Sequence, residues 1–234
     1  MQDIPPALPH GDITEVFDDI FFVTGQIKVS TLSFSRNMVV IRAKDELTLI
    51  NTLRLDDAGL ARLDELGTVR NVIRLGGFHG RDDAFYLNRY DAALWALEGT
   101  GFNRGEVITH ALAEGAPCPI NDASVFAWDT PTSPEAMLQL ARHGGIVIAC
   151  DALQNIVGPD EYFDDESTKA MEKMGFFHPG NVGPGWLKAK NPPMSDFERL
   201  KTLRFENLLS AHGSPFIGGA DAAVSKTLNR LFGI

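Results

Sequence analysis

The chain has 234 residues, 44% of them hydrophobic, and 21 Lys+Arg against 31 Asp+Glu give a formal charge of −10. That length supports one sizeable buried core and is short for two, while the acidic balance repels phosphate backbones and anionic bilayer surfaces, so neither nucleic acid nor a membrane is expected as a partner. The start MQDIPPALPHGD has no basic segment followed by an apolar run, which predicts a soluble, cytoplasmic protein, and the two cysteines, Cys118 and Cys150, lie in unrelated contexts that predict no disulfide framework.

Residues 1–19, rich in Pro and acid, read as an irregular lead-in to a single domain over 20–234. The apolar and β-branched runs 20–29, 38–42 and 47–51 read as adjacent antiparallel strands. LDDAGLARLDEL follows, with Leu55, Leu60, Leu63 and Leu66 near one helical face, Asp56 placed as N-cap and Gly67 just past the end. Strand 69–75 then delivers the chain to GGFHGRDDAFY, residues 76–86, after which 85–90 reads as a short helix and 106–109 and 124–127 as strands. In AMLQLARHGGIVIACD, residues 136–151, two apolar runs flank Gly144-Gly145 and a carboxylate closes the second run, which predicts a hairpin ending in Asp151. Acidic residues before STKAMEKM favour a helix start; HPGNVGPGW reads as a loop, 196–207 as a helix, 208–210 as a short strand, His212-Gly213-Ser214-Pro215 as a turn and 220–232 as a last helix. Strands followed by helices in each half predict a layered α/β or α+β sandwich.

A metal held at strand ends needs imidazoles and carboxylates that are distant in sequence and convergent in space. His79 and Asp83 follow strand 69–75, Asp151 follows strand 146–150, and His212 follows strand 208–210, each beside glycine or a small residue that lets the backbone approach a shared centre. Each also has a plain structural reading: His79 as a turn histidine, and Asp83 and Asp151 as caps of the segments they precede. Glu135 reads as a solvent-facing glutamate or a substitute ligand, Cys150 as a small buried hydrophobe, and His178 in the glycine-rich loop as a surface or pocket residue. Trp186, with Phe176 and Phe177, could cover a pocket. The sequence contains no G-x-S-x-G elbow, no phosphate-binding G-x-x-x-x-G-K-[ST] and no C-x-x-C.

The order of these segments, from about residue 20 to the C-terminus, resembles the metallo-β-lactamase fold family of metal-dependent hydrolases. Its H-x-H-x-D-H loop is matched by His79 and Asp83, with Arg81 in place of the second His and Ala84 in place of the third. Cys150-Asp151-Ala152-Leu153 resembles the family's Gly-Asp-Ala-Leu, and His212-Gly213-Ser214-Pro215 its closing His-Gly-Pro-Pro; the His expected near Thr132-Ser133-Pro134-Glu135 is absent. The resemblance implies a four-layer αββα sandwich of two mixed sheets flanked by helices, with a metal-activated hydroxide attacking esters, lactones, thioesters or phosphoesters of a small-molecule substrate. The implied ligands are His79, Asp83, Asp151 and His212. They would hold at most one divalent transition metal, zinc, iron or manganese, or none. A guanidinium is permanently charged and forks onto carboxylates, so Arg81 is expected to replace the charge of a lost metal by bridging Asp83 or Asp151, with pairing to Asp82 as the alternative. Two functions are implied: a mononuclear hydrolase with Asp83 and Arg81 in the catalytic centre and His178 and Trp186 lining the pocket, or a non-catalytic scaffold of the same fold. Oligomeric state is left open.

Overall fold

The computed structural model describes residues 4–130 and 132–234. Its first sheet has seven strands in sequential order: β1 (Thr14–Phe17), β2 (Ile20–Val29), β3 (Leu32–Ala43), β4 (Glu46–Ile50), β5 (Thr68–Arg74), β6 (Ala93–Leu97) and β7 (His110–Leu112). Pairing is antiparallel from β1 to β4 and parallel from β4 to β7. Helix α1 (Asp57–Leu66) makes the first parallel crossover and α2 (Asp83–Tyr90) the second, as parallel neighbours require. The second sheet is built from β8 (Ala123–Trp128), β9 (Glu135–Leu140), β10 (Ile146–Ala149), β13 (Asn207–Ser210) and β14 (Phe216–Ile217), in the order β14-β13-β10-β9-β8. Between β10 and β13 the chain adds a two-stranded ribbon, β11 (Leu153–Gln154) with β12 (Asn181–Val182), and the helices α3 (Asp165–Lys173), α4 (Pro184–Lys190) and α5 (Met194–Thr202); α6 (Ala220–Phe232) closes it. Among the described residues no helix is long and apolar enough to cross a membrane.

Alternation along the strands produces three apolar layers. Ile41, Ile73, Leu138, Ile148 and Leu209 fill the space between the sheets. Val40, Leu49 and Val72 point the other way, onto Leu60 and Leu63 of α1 and Tyr86 of α2, and Val147 and Leu208 cover Trp186, Phe197 and Val224 from the outer helices. The result is helix, sheet, sheet, helix. Asp56 caps α1 as its sequence position predicts, its Oδ1 accepting from Gly59 N at 2.8 Å.

Several expectations are corrected. The lead-in contains β1, which adds to β2 although charge and proline mask its short apolar alternation. Residues 106–109 are not a strand; the paired segment is β7, and β6 before it was missed, because a five-residue parallel strand has no period to read. The glycine-rich loop condenses into β12 and α4, with Pro184 supplying a preset φ at the helix start.

One edge of the sandwich is stitched by polar groups. Asn37 of β3 donates its backbone N–H to Ala211 O at 2.8 Å and its Nδ2 to Ser210 O at 2.9 Å and Gly213 O at 2.6 Å. Asn51 Nδ2 donates to Ala149 O at 3.0 Å, and Ala136 N donates to Leu75 O at 2.8 Å. Each bond crosses from one sheet to the other. Replacing Asn37 by Ala strands two buried carbonyls, so Asn37→Ala is expected to lose about 2–4 kcal/mol, a fall in Tm of roughly 5–15 °C. Asn37→Asp, which turns a carboxylate toward those same carbonyls, should cost more. Denaturant melts of the two variants check this; an Asp variant as stable as the Ala variant would refute the stitch.

Candidate metal centre

The stitched edge gathers the ends of β5, β10 and β13. After β5 the chain bridges Gly76 to Glu135, and His79 N closes a turn onto Gly76 O at 3.3 Å, which swings His79 inward. Gly80 follows with φ 109° and lies against Arg74, whose guanidinium would be 2.4 Å from any added Cβ. Past β13, His212 is likewise followed by a glycine, Gly213, with φ 84°, where a Cβ would stand 2.0 Å from Asn155 O. Both histidines therefore reach the centre because their next residue lacks a side chain. Asp151 follows β10, its neighbour Ala152 donating N–H to Glu135 Oε1 at 2.6 Å.

Three side chains converge. His79 Nε2 is 3.2 Å from His212 Nε2 and 3.2 Å from Asp151 Oδ2, and His212 Nε2 is 3.3 Å from Asp151 Oδ1. His212 Nδ1 lies 3.0 Å from Ser35 O, so that nitrogen carries the proton and Nε2 presents its lone pair to the centre. Burial lowers the His79 pKa to about 4 despite the opposing pull of Asp151, which keeps the imidazole neutral at pH 7. Burial alone would raise Asp151, but His79 and His212 outweigh it and hold the carboxyl well below its usual range. The centre thus offers one carboxylate and two imidazoles, of which His79 is neutral at pH 7. Two ring nitrogens in contact beside a carboxylate need a cation or a shared proton between them. Ligand atoms around a tetrahedral ion with bonds of about 2.0–2.1 Å stand roughly 3.3 Å apart, so the observed spacings fit a divalent ion. Cys150 Sγ lies 3.5 Å from Asp151 Oδ2, and His79, Cys150 and Asp151 all offer ligand atoms within 4.8 Å of one another; burial, then the neighbouring Asp151 and Glu135, raise the thiol well above its usual pKa, which keeps the sulfur protonated and outside the ligand set.

Other expected residues fall elsewhere. Asp83 is fully buried, but its Oδ1 accepts from Thr52 Oγ1 at 2.6 Å and its Oδ2 lies 4.0 Å from Arg74 Nε; this carboxylate serves the β4–β5 packing and is not among the converging ligands. Nor does it cap α2, whose N-cap position is Asp82. Arg81 bridges neither Asp83 nor Asp151. Its Nη1 donates to Asp82 Oδ1 at 2.5 Å and its Nη2 to Pro6 O at 2.9 Å, because Asp82 is buried and nearer along the chain. His178 is exposed and does not line the cavity above the centre. Glu135, expected at the surface, is completely buried, and burial followed by the charge of Asp151 raises its pKa well above the usual value.

That cavity measures about 510 Å³, and His79, Asp151 and His212 form part of its wall together with Phe34, Met171, Phe176 and Trp186. Trp186 lies edge-on to Trp128, ring centroids 4.9 Å apart; Phe176 lines the cavity with it and Phe177 does not. Sequence reasoning missed Arg36. It is the lone charge between the apolar halves of β3, it is 2% exposed, and it lines the same cavity; a buried cation mid-strand was the available signal.

No protein-family model and no curated protein sequence matches the chain. Solved structures do. The chain aligns with the DIM-1 metallo-β-lactamase exposed to ceftazidime at TM-score 0.58 and 14% identity, over 97% of this chain and 96% of that one. It aligns with a metallo-β-lactamase from Hirschia baltica at TM-score 0.59 and 14% identity, over 94% and 97%. With the metallo-β-lactamase FIM-1 from Pseudomonas aeruginosa in its mono-zinc form the values are 0.56 and 12%, over 97% and 98%.

The ligand assignment separates Asp83 from the rest. His79→Ala, Asp151→Ala and His212→Ala are each expected to weaken zinc binding by at least about tenfold. Asp83→Asn should leave affinity within about twofold of wild type while shifting the thermal midpoint. Competition titration against a zinc chromophore measures this, and loss of zinc in Asp83→Asn would return Asp83 to the site.

Proposed function

We propose that this chain, which has the metallo-β-lactamase fold, is a hydrolase-like protein with a single divalent metal site formed by His79, Asp151 and His212, acting on a small molecule in the cavity above it. The observation that carries the reading is the convergence of the three ligand atoms at 3.2–3.3 Å in the wall of a 510 Å³ cavity. Two nitrogens and a carboxylate suit zinc, iron or manganese. A bound ion would supply Lewis acidity and lower the pKa of a bound water toward neutrality. The chain's own contribution is orientation and dryness. Ser35 O fixes the His212 tautomer, Glu135 Oε1 holds the Ala152 amide and with it the backbone after Asp151, and Trp186, Phe34 and Met171 exclude bulk water from the reacting centre. A second ion has no comparable set of donors among the described residues. Asp83 is committed to Thr52 and Arg74, Ala84 offers no donor, and Arg81 is already bound to Asp82 and Pro6 O.

The test pairs elemental analysis of chelator-free protein with hydrolysis of p-nitrophenyl esters, lactones, thioesters and phosphodiesters. The expected result is one ion per chain and metal-dependent turnover of one class, falling at least about a hundredfold in Asp151→Ala. Two ions per chain would overturn the mononuclear assignment. No metal after dialysis against zinc, iron or manganese, with Asp151→Ala as stable as wild type, would favour a non-catalytic scaffold.

A further inference from the structure

We propose that Gln154 holds the carbonyl oxygen of an uncharged acyl compound whose apolar arm runs out along the cavity wall. The assignment rests on the site reading above, since it names the substrate class of that cavity. Gln154 is the second residue of β11, three positions after Asp151, and it is 3% exposed where it lines the cavity with Asp151 and His212. Its Oε1 is enclosed without a partner, and its Nε2 donates to nothing among the described residues. The buried amides around it are saturated. Asn155 donates from Nδ2 to Ser214 O at 2.9 Å and accepts on Oδ1 from Gly180 N at 3.3 Å; Asn181, across the ribbon, donates from Nδ2 to Gly175 O at 2.9 Å and accepts on Oδ1 from Arg230 Nη2 at 2.8 Å. The β11–β12 pairing is made by backbone and gives the Gln154 side chain no part. A buried amide with no bond of its own is costly unless something outside the chain completes it.

Oε1 is the enclosed end of the amide, so the end left for a ligand is the donor, Nε2. A Cβ at Gly183 would stand 2.1 Å from Asp151 O and 3.0 Å from Gln154 Nε2; the missing side chain at 183 lets the amide lie beside the backbone of Asp151, and a carbonyl on that side favours nitrogen there over oxygen. A free donor next to the metal-ligating aspartate is matched by a carbonyl oxygen. The charges around it close without a ligand. The guanidiniums of Arg36, Arg74 and Arg81 stand beside the carboxylates of Asp82 and Asp83, and Asp151 supplies the third negative charge at the centre. Lys28, at the rim, is exposed and screened by water. No surplus calls for a charged head on the ligand.

The remaining wall fixes the other half of the ligand. Phe34, Met171 and Phe176 line the cavity, and Val29, Phe78 and Met174 line it while each is at least half exposed, which puts them at its mouth. An apolar arm passing over them takes its own surface and theirs out of water. The arm therefore runs from Gln154 toward the mouth.

Methyl ketones carry the acyl carbonyl and cannot be hydrolysed, so isothermal titration with them, on chelator-treated protein and on protein with one equivalent of zinc, tests the assignment without turnover. In the metal-free form 2-nonanone is expected to bind about a hundredfold tighter than 2-pentanone and at least as tightly as nonanoate. Gln154→Leu should weaken 2-nonanone about tenfold, leave unchanged the affinity for 1-chloroheptane, which has an arm and no strong acceptor, and abolish the downshift of the bound ketone's infrared carbonyl stretch. If Gln154→Leu fails to fold, Gln154→Glu, which keeps the volume and replaces the donor by an acceptor, reads the same losses. Ketone affinity and carbonyl stretch that survive both substitutions overturn the proposal, as does tighter binding of nonanoate than of 2-nonanone by the metal-free protein, or an affinity that does not grow with the arm. A ketone contact seen only with zinc and retained in Gln154→Leu also overturns it, making the ion the receptor and leaving the hydrolase reading standing. A contact that depends on Gln154 in a protein with no hydrolytic activity upholds the proposal while the hydrolase reading fails.

Discussion

Backbone carbonyls at the ends of buried strands must find donors, and in this sandwich the donors come from the opposite sheet. Asn37 alone supplies three, binding the carbonyls of Ser210, Ala211 and Gly213. The apolar layer between the sheets is nondirectional and would tolerate sliding; directional bonds at one edge would not. They set the distance between β3 and the end of β13, and therefore the distance between Ser35 O and His212 Nδ1. The geometry of the centre is downstream of a structural asparagine that touches none of the reacting groups.

The same edge explains how so few ligands are held in place. Each histidine is fixed by the glycine next to it in the chain, pressed against Arg74 in one case and against Asn155 in the other. Asp151 is fixed through Ala152, whose amide binds Glu135. Glu135 is in turn buried near Lys190, which donates to Ser133 O at 2.8 Å and whose charge opposes the rise in the Glu135 pKa caused by burial and by Asp151. The support extends outward through carboxyl, amide and ammonium groups, and rigidity of this kind keeps a three-ligand site from collapsing.

Long periodic elements were legible: α1 with its Asp56 cap, α6, and the hairpin ending at Asp151 all lie where their apolar spacing and punctuation put them. The short parallel strands β6 and β7 were not, because a fully buried strand of three to five residues has neither alternation nor turn residues to mark it. His79, Asp151 and His212 each stand in the segment that follows a strand, and the three side chains converge. Asp83 was misplaced because a loop match records spacing and not side-chain direction: one helical residue's rotation turns its carboxylate to Thr52 and Arg74. The pairing of Arg36, unlike its place mid-strand, was illegible for a different reason. Its partners, Thr52 and Asp82, lie 16 and 46 positions away, so the charge balance it enters exists only in the folded chain.

Where the resemblance led one to expect ligands, the structure has other groups already employed. Arg81 is bound to Asp82, Ala84 is packed into α2 at 6% exposure, and Glu135 anchors the backbone that carries Asp151. None of the three positions is an empty space awaiting a side chain. A histidine introduced at 81 would therefore lose the hydrogen bond to Asp82 and leave that buried carboxylate to Arg36. A histidine at 135 would release the Ala152 amide. More imidazole at the centre would thus come at the expense of contacts that the surrounding structure already uses, the Glu135 bond to the Ala152 amide above all.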